Sequence, residues 1–212
     1  MKQGICYVIG AGENHGLDFF PQPEDYVIAA DGGFAYLLEK GIQPDLLIGD
    51  FDSLCHQPEK VRIVALPCEK NETDTFAAVT AGINQGYDTF HIYCGTGGRR
   101  EHTLANIQLL AYLSQNGKKG FLFGKENVIT AITNSTLHLG AHHCGYVSVF
   151  SHSDKSTGVT LCGLKYALDC AEVCNHFPIG ISNEFLDMPS TISVEKGTLL
   201  IVLPRSDNNF RL

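Results

Sequence analysis

Phe90-His-Ile-Tyr-Cys-Gly-Thr-Gly-Gly-Arg-Arg100 opens on an apolar run and closes on paired arginines. A short apolar run bounded by turn residues reads as a buried strand, here over 90–94. The glycines that follow let a backbone approach a ligand closely with its N–H groups turned outward. A helix is predicted from about residue 101 to 114, with Leu104, Ile107, Leu110 and Ala111 as its inner stripe. Strand, glycine loop, basic side chains and helix start together suit an anion, because Arg99 or Arg100 can fork onto a phosphate. The duller alternative is a plain strand-to-helix turn with exposed arginines. Paired glycines followed by paired arginines weigh against it.

The same alternation runs upstream. A strand over 6–9 enters Gly10-Ala-Gly12, which lacks the full glycine spacing of a dinucleotide fingerprint. A strand over 27–30 ends on Asp31-Gly-Gly33, and a helix over 34–40 is closed by Gly41. In Pro44-Asp-Leu-Leu-Ile-Gly-Asp-Phe-Asp-Ser53 the apolar run stops at Gly49. If extended backbone continues, the period of two aims Asp50 and Asp52 the same way. Two adjacent carboxylates repel, and a hard cation such as Mg²⁺ relieves them. Residues 61–66 are a further strand. The next helix carries Phe76, Ala77, Thr80, Ala81 and Ile83 at helical spacing and ends at Gly86. Thr73 is its expected N-cap and Asp74 falls in its first turn, which by itself explains Asp74 structurally.

Through the last such strand, 120–124, strand alternates with helix. That predicts an α/β domain with a mostly parallel sheet and helices on both faces. Beyond it the texture changes to short β-rich runs at 127–132, 136–139, 146–150, 158–161, 164–168, 191–194 and 198–203. These read as an all-β sandwich or barrel, which puts a domain boundary at 124/125.

Bulk properties bound the function classes. The 212 residues are 44% apolar and 18% charged, enough for a core. A net charge of −8 argues against a nucleic-acid partner. No apolar run reaches the ~18 residues of a membrane helix, and the first run is short for a signal peptide. The expectation is a cytoplasmic protein that does not associate with membranes. The eight cysteines show no Cys-x-x-Cys spacing and read as reduced thiols. A metal site from His142, His143, Cys144, Cys170 and Cys174 is a weaker reading.

In an open α/β sheet, ligands bind beyond the carboxyl ends of the strands. Asp31, Asp50 and the 95–100 loop each follow a strand, and Asp74 opens a helix on the same edge. Asp31, Asp50, Asp52, Asp74 and a phosphate-type loop would therefore share one rim. That constellation suits a Mg²⁺-nucleotide site in which Arg99 offsets the charge of the transferred group. The chain has no G-x-x-x-x-G-K-[ST] and no protein-kinase motif set.

The ordered set Asp31-Gly-Gly33, Pro44-Asp-x-x-x-Gly-Asp-Phe-Asp-Ser53, Thr73-Asp74, Gly97-Gly-Arg-x-Glu-His102, Leu104-Ala-Asn106, Gly163-Leu-Lys-Tyr166 and Gly180-Ile-Ser-Asn-Glu-Phe185 resembles the thiamine pyrophosphokinase family over nearly the whole chain. The resemblance implies transfer of diphosphate from ATP to the hydroxyethyl oxygen of thiamine, with Mg²⁺, in a homodimer. It implies that 1–124 is the ATP- and Mg²⁺-binding catalytic domain and 125–212 the thiamine-binding and dimerisation domain. Asp50, Asp52 and Asp74 would hold metal and, with Arg99, form the catalytic set. Asp31, Gly32, Thr73, Gly97, Gly98, Arg99, Glu101 and His102 would bind ATP. Ser182 and Asn183 would contact thiamine from the partner subunit; the residues alone read there as a polar break. Asp74 and Asp52 are the candidates to accept the hydroxyl proton.

The chain departs from the family pattern at Glu101, where Asp is usual, at Asn71, where an acid is usual, and at Phe76, where Glu is frequent. It has no Trp, so an aromatic partner for thiamine would be Phe185 or Tyr166, or would be missing. Two other functions fit the same scaffold. One is a sensor that binds nucleotide or thiamine without turnover, which the run of acids disfavours. The other is a diphosphotransferase or kinase acting on a different alcohol.

Overall fold

A computed structural model describes residues 2–49, 62–65 and 72–205. The chain divides into two compact units, Met1–Leu109 with Leu122–Gly124, and Leu110–Phe121 with Lys125–Leu212. The division thus gives 110–121 to the second unit, although those residues precede the boundary expected at 124/125.

The first unit holds β1 (Cys6–Ile9), β2 (Tyr26–Ala30), α1 (Gly33–Glu39), β3 (Leu46–Gly49), β4 (Arg62–Ala65), α2 (Asp74–Asn84) and β5 (Thr89–Tyr93). The strands run parallel in the order β5-β1-β2-β3-β4. β1 and β3 are buried at every residue, as expected of parallel strands covered on both faces. β4, at the end of that order, is only half-buried. α2 packs on β1, β2 and β3. It comes close because Gly82 has no side chain: a Cβ there would lie 2.7 Å from both Cys6 Sγ and Phe90 Cε1. Its buried residues are Ala77, Ala78, Val79 and Gly82, so of the positions expected on its inner face only Ala77 is buried. Burial pushes the Cys6 thiol far above its ordinary range, which makes it an inert core group.

α3 (Arg100–Gln115) and β6 (Lys119–Phe123) follow. The inner stripe of α3 differs from the expected one. Leu110 and Ala111 are buried as expected, but Leu104 is 63% exposed, and Asn106, Leu109 and Leu113 are buried with Leu110. The spacing i, i+3, i+4, i+7 is kept, but it starts from a polar residue that a hydrophobicity pattern passes over.

The second unit is an antiparallel β sandwich. Its sheets have the orders β12-β9-β14-β7 and β11-β10-β13-β8, built from β7 (Asn127–Thr133), β8 (Thr136–Leu139), β9 (Tyr146–Ser151), β10 (Lys155–Cys162), β11 (Leu168–Cys174), β12 (Gly180–Glu184), β13 (Ser190–Ser193) and β14 (Thr198–Pro204). β9 and β14 alternate buried and less buried residues. Two elements correct the sequence reading. The expected run 164–168 is not a strand; β11 begins at Leu168 instead. The polar break at Ser182 and Asn183 lies inside β12. Both are end strands whose patterns are broken by register shifts, with Cys170 and Ser182 at positive φ. Among the described residues, no helix is long and apolar enough to cross a membrane.

His143 is buried in the second unit, its ring 5.5 Å from Phe185. Burial, with His142 beside it, holds its pKa below the usual 6.5. The unfolded chain therefore binds a proton that the folded chain resists, and stability falls as pH drops below about 6.5. The melting temperature is expected to fall between pH 7 and pH 5.5 by more in the wild type than in His143→Phe. Equal losses would contradict this.

Candidate active site

The parallel register brings the ends of β1, β2 and β5 to one level, and the loops leaving them enclose a cleft of about 460 Å³. The loop after β1 is laced to the loop after β5. Gly10 N donates to Tyr93 O at 2.9 Å, Gly12 N to Cys94 O at 2.7 Å, and Glu13 N to Thr96 O at 3.0 Å. This lacing excludes side chains: a Cβ on Gly12 would lie 2.6 Å from Cys94 O. Tyr36 on α1 donates its hydroxyl to Gly12 O at 3.0 Å from another wall of the cleft.

Asp31 lines the cleft at φ 49, a left-handed conformation uncommon for a residue with a side chain. Its N–H donates to Ile48 O at 2.7 Å, and Gly49 lies against it. Gly32 is the residue before α1 and packs near Ala11. Thr73 caps α2 as expected, Oγ1 accepting from Phe76 N at 3.2 Å, so Asp74 sits in the first turn beside the positive end of the helix dipole. Thr73 and Asp74 both line the cleft.

Gly97, Gly98, Arg99 and His102 also line the cleft. Gly97 and Gly98 have φ of 77° and 55°, which glycine tolerates. Gly98 N donates to Glu13 Oε1 at 2.8 Å, and Arg99 Nε donates to Glu101 Oε1 at 2.7 Å. The Arg99 guanidinium holds the exposed Glu101 carboxyl below the usual carboxylate range. Glu101 does not line the cleft; it reaches it only through Arg99.

Asn106 braces the loop from beneath. It is buried, and its Nδ2 donates to Gly95 O at 2.8 Å. Sequence reasoning gave no role to Glu13, Tyr36 or Asn106. Asn106 alone carried a signal, a polar residue on the buried face of a helix.

The cleft therefore brings together Asp31, Thr73, Asp74, Gly97, Gly98, Arg99 and His102. Asp50 and Asp52 lie outside the described residues, as does Asn71. Carboxylates lining the same cleft as a phosphate-type loop fit a hard divalent cation, which takes one or two carboxylates and draws its other ligands from water and phosphate. Among the described residues, no group of three His, Cys, Asp or Glu gathers to hold a metal, and that includes His142, His143 and Cys144.

In the second unit, Asn183 is buried and its carboxamide is spent on the backbone. Oδ1 accepts from Tyr166 N and Glu184 N, each at 2.9 Å, and Nδ2 donates to Tyr166 O at 2.7 Å. Ser182 beside it is exposed, at φ 55, with its N–H donated to Ser148 Oγ at 3.1 Å. Phe185 is 9% exposed and Tyr166 59%.

Asn106→Ala leaves the buried Gly95 carbonyl without its donor. It is expected to lower the unfolding free energy by about 1–3 kcal/mol, checked by urea unfolding. A loss under about 0.5 kcal/mol would show that the brace is dispensable.

The sequence matches the family model described as thiamin pyrophosphokinase, catalytic domain, over residues 20–122. It matches thiamin pyrophosphokinase, vitamin B1 binding domain, over residues 134–199. The thiamine pyrophosphokinase of Bacillus subtilis is 31% identical over 182 residues, 82% of this chain and 85% of that protein. The crystal structure of the Bacillus subtilis thiamine pyrophosphokinase superposes with a TM-score of 0.86 at 28% identity, covering 95% of this chain and 99% of the other. That of the Geobacillus thermodenitrificans thiamin pyrophosphokinase gives 0.82 at 26%, covering 95% and 98%. The chain belongs to the thiamine pyrophosphokinase family.

Proposed function

We propose that this chain transfers the terminal diphosphate of ATP to the hydroxyethyl oxygen of thiamine, releasing AMP. The observation that carries the reading is the cleft itself: a glycine loop and Arg99 lining one cleft with Asp31 and Asp74, in a chain that matches both domains of the family. The thiamine hydroxyl oxygen attacks the β-phosphorus in line, the bond from that phosphorus to the bridging α–β oxygen breaks, and AMP leaves with that oxygen. Such transfers depend on positioning and on electrostatic stabilisation.

In this reading the nucleotide lies along Asp31, Thr73, Gly97, Gly98, Arg99 and His102, with Gly32 behind Asp31 and Glu101 acting through Arg99. Arg99 and the Gly98 N–H hold the polyphosphate. Asp50, Asp52 and Asp74 hold Mg²⁺, which when bound screens the negative charge of the polyphosphate. Asp74 is fixed by the cap that Thr73 places on α2 and, with Asp52, is a candidate to accept the hydroxyl proton. In the second unit, Ser182 presents its hydroxyl to thiamine. Asn183 acts through Tyr166, whose exposed ring suits stacking better than the buried Phe185. A homodimer is supported by exposed Tyr146, Phe177 and Ile181 in that unit. The free cysteines and acidic charge suit the cytoplasm.

The test is incubation with ATP, thiamine and Mg²⁺, followed by separation of all products. AMP and thiamine diphosphate are expected together, and only with Mg²⁺ present. Asp74→Ala is expected to lower kcat by roughly 100-fold or more while melting like a folded protein. ADP with thiamine monophosphate would overturn the diphosphate transfer, and ATP binding without any product would favour a sensor.

A further inference from the structure

Two anion-seeking groups of the glycine loop already engage carboxylates of the chain itself. Gly98 N–H is held by Glu13, and the Arg99 guanidinium by Glu101. The Glu13 contact is built in. Its backbone N–H is fixed to Thr96 O, which brings the residue to the loop. Its carboxyl group then lies over Gly97, where any Cβ would sit 2.4 Å from Glu13 Cδ. The absence of a side chain at Gly97 is what admits the carboxylate. Glu13 is also a lining residue of the cleft, facing the same space as Asp31 and Asp74.

A carboxylate oxygen and a phosphate oxygen make the same demand on a backbone N–H. We propose that Glu13 occupies the place of a phosphate oxygen on Gly98 when no nucleotide is bound, and that polyphosphate must displace it. Glu13 is then the residue that sets the affinity for the nucleotide, not one that holds it. The inference rests on the reading of the cleft as a polyphosphate site. Two effects oppose the ligand: the hydrogen bond given up at Gly98, and the repulsion between Glu13 and an incoming polyanion. Both are modest, because the contact is exposed to solvent and screened by it. Glu101 plays the lesser part, since an exposed ion pair with Arg99 is screened by solvent.

The experiment is equilibrium binding of ATP and of inorganic triphosphate, with and without Mg²⁺, to the full chain and to Glu13→Ala and Glu13→Gln. KM for ATP is measured alongside. Glu13→Ala is expected to bind both ligands roughly two- to fivefold more tightly, with the KM for ATP falling in step. Glu13→Gln keeps an oxygen for Gly98 but not the charge, and should fall between wild type and Ala. Unchanged binding would overturn the proposal. Weaker binding in all conditions would make Glu13 a brace of the loop, and weaker binding only with Mg²⁺ would make it a metal ligand; either result overturns it. If ATP and triphosphate bind and Glu13→Ala tightens both, but no diphosphate is transferred, the reaction assignment fails while the place of Glu13 stands. If neither ligand binds any form of the chain, both fail.

Discussion

The site depends on how closely two loop backbones approach each other. The segment after β1 donates N–H groups at Gly10, Gly12 and Glu13 to the carbonyls of Tyr93, Cys94 and Thr96. Those bonds need a side chain to be absent at Gly10 and Gly12. The same intolerance recurs at Gly33, where a Cβ would lie 2.0 Å from Ile9 O. Packing thus pins α1 and the loops of β1 and β5 around one volume. Asp31 and Cys94 adopt left-handed φ at the ends of β2 and β5 as part of that geometry. Strain of this kind persists only where the surroundings over-determine it. Here the surroundings are the laced loops on one side and β3 on the other.

Electrostatics then sorts the lining of the cleft into acids and donors. Thr73 fixes the first turn of α2 and Asp74 with it, while Asp31 is set by its bond to β3. The same cleft is lined by the Gly97–Gly98 loop and Arg99. Acids and donors lining one cleft match a polyphosphate with its cation, the acids suiting the metal and the donors the phosphate oxygens. Glu13 and Glu101 accept hydrogen bonds from Gly98 N–H and Arg99 Nε, so these two donors engage internal carboxylates in the ligand-free chain.

Much of this was legible in the sequence because parallel strands are written as continuous apolar runs and their loops as glycines. β1, β3 and β5 stood out for that reason, and Thr73 was recognised as a cap from its position before the helix. The misses share a physical cause. β11 and β12 are end strands with register shifts, so neither shows the alternation by which a strand is recognised. Leu104 was assigned to the core because it is apolar, whereas Asn106 occupies the stripe through a hydrogen bond to Gly95. Glu13 could not be found from spacing alone, since its partner Gly98 is distant in sequence and is reached only when the two loops fold together. Asn183 reads from the residues alone as part of a polar break, because its carboxamide bonds to the backbone of Tyr166, which spacing does not reveal.

The central claim is that the cleft between Asp31, Asp74 and the Gly97–Arg99 loop takes the polyphosphate of the nucleotide. The most direct measurement is a crystal structure with Mg²⁺, thiamine and α,β-methylene ATP, an analogue whose α–β bridge cannot be cleaved in the transfer. The account predicts phosphate oxygens on Gly98 N and Arg99, the cation beside Asp74, and Glu13 turned away from Gly98. A triphosphate bound outside this cleft, with the Glu13–Gly98 hydrogen bond intact, would contradict it.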